Sequence, residues 1–259
     1  MIDHSALCDQ IEAIARDAGK AILAIYNTDF DVRRKEDASP VTEADEKAEA
    51  VILEGLARVA QGIPVVAEES VAAGHIPDIS GGRFWLVDPL DGTKEFVNRN
   101  GEFTVNIALV EDGEPVLGVV YAPATGRMFC GTGATARTAT RGADGTFPAA
   151  APIAARMAPA DGLTVVASRS HRDYKTEEFL KDYPVKELKA AGSSLKLCLV
   201  AAGEADMYPR LGRTMEWDIA AGHAVLRAAG GSVTTVDGGP FRYGKPGFEN
   251  PFFIAWGRR

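Results

Sequence analysis

Phe84-Trp85-Leu86-Val87-Asp88-Pro89-Leu90-Asp91-Gly92-Thr93 is the stretch whose reading decides both fold and chemistry in this 259-residue chain. Its apolar opening suits a buried strand, and Asp-Gly is turn chemistry, so two carboxylates should be delivered at a strand end. Two oxyanions fixed that close repel unless they are protonated or bridged by a cation, and hard divalent ions take oxygen ligands of this kind. The stretch is read as a magnesium site. Taken alone it could equally be an ordinary surface turn, because Asp-Pro and Asp-Gly are common there.

Its company argues against the surface turn. Val65-Val66-Ala67-Glu68-Glu69-Ser70 is a second short apolar run ending on acids. Glu216-Trp217-Asp218 sets another acid before the helix-like Ile219 to Ala229. Three separate apolar elements each bring a carboxylate to a terminus. The donors are oxygens, with no His or Cys at ligand spacing, which points to magnesium rather than zinc.

The order of these pieces, with Lys35-Glu36-Asp37-Ala38-Ser39-Pro40-Val41-Thr42-Glu43-Ala44-Asp45 ahead of them, resembles the lithium-sensitive, magnesium-dependent phosphatase superfamily that includes inositol monophosphatase. Lys94-Glu95 and the run Ala205 to Gly212 make it most similar to the bacterial 3'(2'),5'-bisphosphate nucleotidases within that superfamily. The resemblance implies a mixed α+β and α/β fold, a layered αβαβα sandwich. It implies magnesium held by Glu68, Asp88, Asp91, Asp218 and the backbone carbonyl of Leu90, with Asp88 bridging. Two ions follow from the ligand count, and a third would depend on water ligands. A water activated by Thr93 paired with Asp45 would attack the phosphate, with Glu68 counted among the catalytic residues as well as the ligands.

Other residues acquire roles in the same way. Gly92 and Thr93 would turn free amides toward the phosphate if a helix starts there. Gly192-Ser193-Ser194-Leu195-Lys196 should open a helix, with Lys196 one turn beyond Ser193. By resemblance Ser193, Lys196 and Arg210 hold the phosphate that is not cleaved, and His171 lies near the base. Each has a plain alternative: a helix cap for Ser193 or Thr93, a first-turn acid for Asp45, a solvated lysine, a structural ion-pair arginine, a surface histidine.

The formal charge of −8 argues against binding a nucleic-acid polymer, which needs a basic face. A small polyanion remains open to it if metals reverse the local field. Cys8, Cys130 and Cys198 lack metal-ligand spacing and are expected as reduced, buried thiols. The amino terminus lacks a signal-peptide pattern, and no segment has the roughly 18 to 20 apolar residues of a membrane helix, so a cytoplasmic location is expected. Peripheral attachment to the inner membrane and oligomeric state are left open. Gly131-Thr132-Gly133 is not a dinucleotide fingerprint, and no P-loop occurs. Trp85, Trp217, Trp256 and His223 read as packing residues.

Leu7, Ile11, Ile14, Ala18, Ile22 and Ile25 recur at helical spacing, predicting one long helix from Ser5 to Tyr26. A short strand is expected at Phe30 to Lys35, and a second helix from about Thr42. Antiparallel strands are expected at Thr104 to Glu111, Pro115 to Ala122 and Arg127 to Gly131. Thr132 to Asp161 reads as loop with one or two edge strands, and alternating α/β elements follow it. The expected division is 1–156, an N-terminal α+β metal-binding domain, and 157–259, an α/β domain that completes the metal site and binds the nucleotide.

The expected function is a phosphomonoesterase that converts adenosine 3',5'-bisphosphate to AMP and phosphate. Inositol monophosphatase or fructose 1,6-bisphosphatase activity is the enzymatic alternative. A catalytically silent metal-binding regulator is the alternative of another class, and it predicts a missing ligand or water activator.

Overall fold

The computed structural model describes residues 4–34, 40–168 and 174–259. It opens with α1 (His4–Tyr26), whose predicted apolar stripe is buried throughout. Of the strand expected from Phe30, only β1 (Arg33–Arg34) is present among the described residues, paired with β2 (Pro40–Val41). Next comes α2 (Glu43–Val59), which starts with a capping box: Thr42 Oγ1 accepts from the Ala44 amide at 3.2 Å, and Asp45 Oδ2 accepts from the Thr42 amide at 2.8 Å.

The chain continues through β3 (Val65–Ala67), α3 (Glu68–Ala72), β4 (Arg83–Asp91), α4 (Thr93–Val97), β5 (Thr104–Glu111), β6 (Glu114–Ala122), β7 (Arg127–Thr132), β8 (Thr135–Thr140) and β9 (Ala151–Pro152). The seven strands lie side by side in chain order, antiparallel except for β3 beside β4. Asp112 and Gly113, at φ 50° and 77°, make the two-residue hairpin turn their sequence announces. Within the stretch expected as loop, β8 is paired on both sides and the two-residue β9 is the edge strand.

The second half holds β10 (Leu163–Ser168), α5 (Tyr174–Leu180), β11 (Val185–Ala191), α6 (Leu195–Ala201), β12 (Met207–Arg210), α7 (Glu216–Ala228), β13 (Ser232–Thr235) and β14 (Phe253–Trp256). They form a five-stranded sheet in the order β11-β10-β12-β14-β13, with parallel pairs around β10 and antiparallel pairs around β14. The sequence reading passed over β12 and β13. It also started α7 three residues late, so Asp218 lies inside the helix's first turn rather than ahead of it.

Alternation along β4 explains why its run is apolar throughout. Trp85 and Val87 enter a core against α1 and α2, while Phe84 and Leu86 enter a second core shared with α6 and α7. Gly118 and Gly131 let α7 lie close on the sheet, because a Cβ at either would run into the backbone of Ala221 or Val225. On the far side of α7, Phe253 and Ala255 of β14 join the same core, and the outer face of that sheet packs Val165, Met207 and Ile254 with Leu180 of α5. The layers run helix, sheet, helix, sheet, helix, the expected αβαβα sandwich.

One expectation fails. Cys8 of α1 and Cys130 of β7 form a disulfide with Cα atoms 6.8 Å apart, leaving only Cys198 as a free thiol among the described residues. The partners are 122 residues apart in sequence and meet only because α1 crosses β7, so spacing carried no sign of them. No helix among the described residues is long and apolar enough to cross a membrane.

Candidate active site

A cavity of about 260 Å3 lies between the two sheets at the ends of β4, α6, β12 and α7. Its lining includes the acids Glu68, Asp91, Glu95 and Asp218 and the cations Lys94, Lys196, Arg210 and Arg213. Gly92, Thr93, Ser193 and Tyr208 complete the part of the wall that concerns the chemistry.

Residues three apart on a regular strand point to opposite faces, and Asp88 and Asp91 stand three apart at the end of β4. Pro89 has no amide to donate, and the β4–β5 register shifts between Asp88 and Asp91. Asp88 is only 2 % exposed, accepts from the Leu90 amide at 3.0 Å, and is not among the residues lining the cavity. Asp91 Oδ2 accepts from Ser193 Oγ at 2.6 Å and from the Ser194 amide at 2.7 Å. Asp218 Oδ2 accepts from the Met215 amide at 2.8 Å at the start of α7.

Burial sets the electrostatics. It raises the Asp218 carboxyl well above the usual carboxylate range, and the neighbouring charges of Asp91 and Glu68 push it further. Burial raises Asp91 too, against the pull of the Lys196 ammonium. These three acids therefore feel one another, although they come from positions far apart in the chain. Among the described residues no three His, Cys, Asp or Glu side chains close into a ready cage. One oxygen of each of Asp88, Asp91 and Asp218 instead accepts from a protein donor. The donor set around the cavity is all oxygen, which fits a hard divalent ion.

Strand alternation could not choose between Glu68 and Glu69. In the structure β3 stops at Ala67 and both acids open α3, Glu68 on the cavity with Asp91 and Asp218, Glu69 on a separate surface depression beside Glu49 and His75. Thr93 is not the cap of α4, because Gly92 takes that position at φ 89°. Its hydroxyl lies 3.3 Å from Asp45 Oδ1 and 3.3 Å from the Leu90 carbonyl oxygen. Asp45 thus does both things weighed for it: one oxygen closes the capping box of α2, and the other meets Thr93.

The opposite wall differs in detail from the sequence reading. Ser193 sits at φ 53° and is followed by Ser194 as the cap of α6. Its hydroxyl is engaged with Asp91 rather than facing open space. Lys196 Nζ donates to the Ser193 carbonyl at 2.5 Å and lies 5.4 Å from the centre of the Tyr208 ring. Burial lowers its pKa to about 8, with Asp91 opposing that fall. Arg210 donates to the Arg213 carbonyl at 3.0 Å, and its Nε is buried without a hydrogen-bond partner among the described residues. His171 falls outside the described residues. His223, expected to pack, is buried against Tyr243, with Nδ1 2.9 Å from the phenol oxygen and a pKa lowered to about 3 by burial.

Sequence reasoning missed Arg213, Thr104 and Asn106. Thr104 and Asn106 face Asp91 and Asp88 across the β4–β5 pair. They meet Ser194 Oγ at 3.0 and 2.6 Å, and Thr104 also contacts Ser193. Two polar residues at alternate positions of an otherwise apolar strand were the available signal. For Arg213 it was a second arginine just past the quoted Ala205 to Gly212 run.

An acid-lined cavity between the sheets of a five-layer αβαβα sandwich defines the class of layered, metal-dependent phosphatases. The model of the inositol monophosphatase family matches residues 3–251. The 3'(2'),5'-bisphosphate nucleotidase CysQ of Shigella flexneri is 44 % identical over 250 residues, covering 95 % of this chain and 98 % of that protein. The crystal structure of CysQ from Bacteroides thetaiotaomicron superposes with a TM-score of 0.82 at 38 % identity, covering 98 % of each chain. Inositol monophosphatase from Anabaena (Nostoc) sp. PCC 7120 gives a TM-score of 0.76 at 25 % identity over 99 % of this chain and 92 % of that one. The chain belongs to the inositol monophosphatase family.

Proposed function

We infer that this protein is a magnesium-dependent phosphomonoesterase that removes the 3'-phosphate of adenosine 3',5'-bisphosphate, releasing AMP and inorganic phosphate. The observation that carries this reading is one cavity lined both by acids, Glu68, Asp91, Glu95 and Asp218, and by cations, Lys94, Lys196, Arg210 and Arg213. A monophosphate ester needs only the first set. A substrate with a second phosphate needs the other.

Glu68, Asp88, Asp91, Asp218 and the Leu90 carbonyl would hold the magnesium, two ions by ligand count. Bound there, magnesium supplies positive charge for the phosphate and the departing oxygen. Asp45 accepts from the Thr93 hydroxyl, which leaves the lone pairs of Thr93 to take up a proton from a water beside it. As Thr93 takes that proton it passes its own to Asp45. The water's oxygen adds to phosphorus, the bond from phosphorus to the 3' oxygen breaks, and the 3' oxygen takes a proton from solvent, to which Asp45 returns the one it received. Gly92, at φ 89°, and Thr93 line the cavity, and their amides would donate to the reacting phosphate. Lys196, Arg210 and its open Nε, and Arg213 would hold the 5'-phosphate by charge-assisted hydrogen bonds. Ser193, by fixing Asp91, ties the two walls together. Asp45, Glu68, Asp88, Asp91, Thr93 and Asp218 are all present in the sequence, which supports an enzyme over a catalytically silent regulator.

The shared CysQ assignment of the nucleotidase relatives supports the choice of substrate within the family. Phosphate release should be measured side by side on adenosine 3',5'-bisphosphate, inositol 1-phosphate and fructose 1,6-bisphosphate, with and without magnesium. The expected result is a kcat/KM highest for the adenosine compound and lost without magnesium. A higher value for either other substrate would overturn the assignment.

A further inference from the structure

α3 is five residues long, and Ala67, at its cap position, has no side chain that can accept its first amides. So short a helix does not hold itself together in water. The missing acceptors come from Glu49, in the middle of α2. Glu49 Oε2 accepts from the Glu69 amide at 2.8 Å, and Oε1 accepts from the Ser70 amide at 2.8 Å and the Ser70 hydroxyl at 2.6 Å. The carboxylate is 5 % exposed, and both its oxygens are spent on the first turn of α3. That turn begins with Glu68, whose side chain enters the acid-lined cavity.

Glu49 lies four residues beyond Asp45, so the two stand one turn apart on one face of α2. Asp45 reaches Thr93 and Glu49 reaches α3, so a single helix face braces both the water side and the Glu68 side of the site.

We propose that Glu49 is a positioning residue which, by clamping the first amides of α3, sets the direction in which Glu68 enters the cavity. The proposal rests on Glu68 being a metal ligand. A glutamine at position 49 has nearly the same size, but its amide offers one acceptor oxygen where two now accept, and turns an N–H toward donors. At least one bond to α3 is lost, while the packing of α2 is kept.

The test is binding of Mn2+, followed by the electron paramagnetic resonance signal of the free ion, on wild type, Glu49→Gln, Ser70→Ala, Glu68→Gln and the Glu49→Gln/Glu68→Gln pair. Circular dichroism serves as the fold control. Glu49→Gln should weaken Mn2+ binding about tenfold and raise the magnesium needed for half-maximal phosphate release by a similar factor. KM for the substrate at saturating magnesium should stay within about twofold. Ser70→Ala, which removes only the hydroxyl bond, should weaken Mn2+ binding by about threefold, and it carries the test should Glu49→Gln fail to fold. In the Glu68→Gln background, Glu49→Gln should add nothing. Wild-type Mn2+ affinity in a folded Glu49→Gln, or in Ser70→Ala where that is the variant left to test, overturns the proposal, and so does an undiminished tenfold loss in the double variant. Wild-type Mn2+ affinity in Glu68→Gln overturns it by a different route, because Glu68 is then not a ligand.

Discussion

On the acid wall, Asp91 ends a nine-residue buried strand and Asp218 lies in the first turn of a thirteen-residue helix. On the cation wall, Lys196 projects from a seven-residue helix, Arg210 ends a four-residue strand, and Arg213 stands in the loop after it. Asp91 and Asp218 stand on elements anchored in the two large cores, whereas Glu68 opens the five-residue α3. Lys196 is itself buried, and α6 and β12 give Leu197, Val200 and Tyr208 to one of those cores; only Arg213 stands in a loop, where substitutions alter charge and reach with less disturbance of the core. That division suits a phosphatase in which the acids serve the phosphate common to many esters and the cations select what is attached to it.

The comparison breaks most visibly at the acids. Asp91→Asn and Asp218→Asn should each lower kcat by about a thousandfold or more, on the order of 4 kcal/mol of transition-state stabilisation, with circular dichroism unchanged. Near-normal turnover in either would remove that residue from the site. Thr93→Val should come next, with a loss of about a hundredfold in kcat and little change in KM, as expected when a proton acceptor is removed. An effect on KM alone would make Thr93 a binding residue.

The cation wall should respond differently. Lys196→Met should raise KM for adenosine 3',5'-bisphosphate about tenfold while leaving hydrolysis of a monophosphate ester nearly unchanged. Equal effects on both would erase the distinction between the walls. The same lysine sets a pH dependence: burial lowers its pKa to about 8, so the ammonium is present below that pH and lost above it. The kcat/KM for the bisphosphate, which reports the free enzyme, should therefore fall as pH rises through about 8, and Lys196→Met should abolish that limb.

Much of the acid wall was legible because it obeys local rules. An apolar run, a turn pair and a helix start each leave a mark in sequence, and Glu68, Asp88, Asp91 and Asp218 sit on such marks. The choice between Glu68 and Glu69 was not legible from alternation, because the strand ends at Ala67 and a helix carries both. The cation wall was read only through family likeness, since a lysine or arginine on a short element has no periodicity to betray it. The hydroxyl and amide cluster of Ser193, Ser194, Thr104 and Asn106 around Asp91 joins residues about ninety positions apart, as the Cys8–Cys130 link joins residues still further apart. Such contacts are created by the stacking of the two sheets and by α1 lying across β7. They appear only once the fold is in place.

The claim that carries everything is that acids from three separate stretches of the chain, Glu68, Asp88 with Asp91, and Asp218, share divalent ions. Crystals soaked in Mn2+ and measured at the manganese absorption edge test it directly. The anomalous map should show two peaks bounded by Glu68, Asp88, Asp91 and Asp218, one of them touching Asp88 and Asp91 together. A map with no peak there, or with peaks only elsewhere on the molecule, would contradict the account.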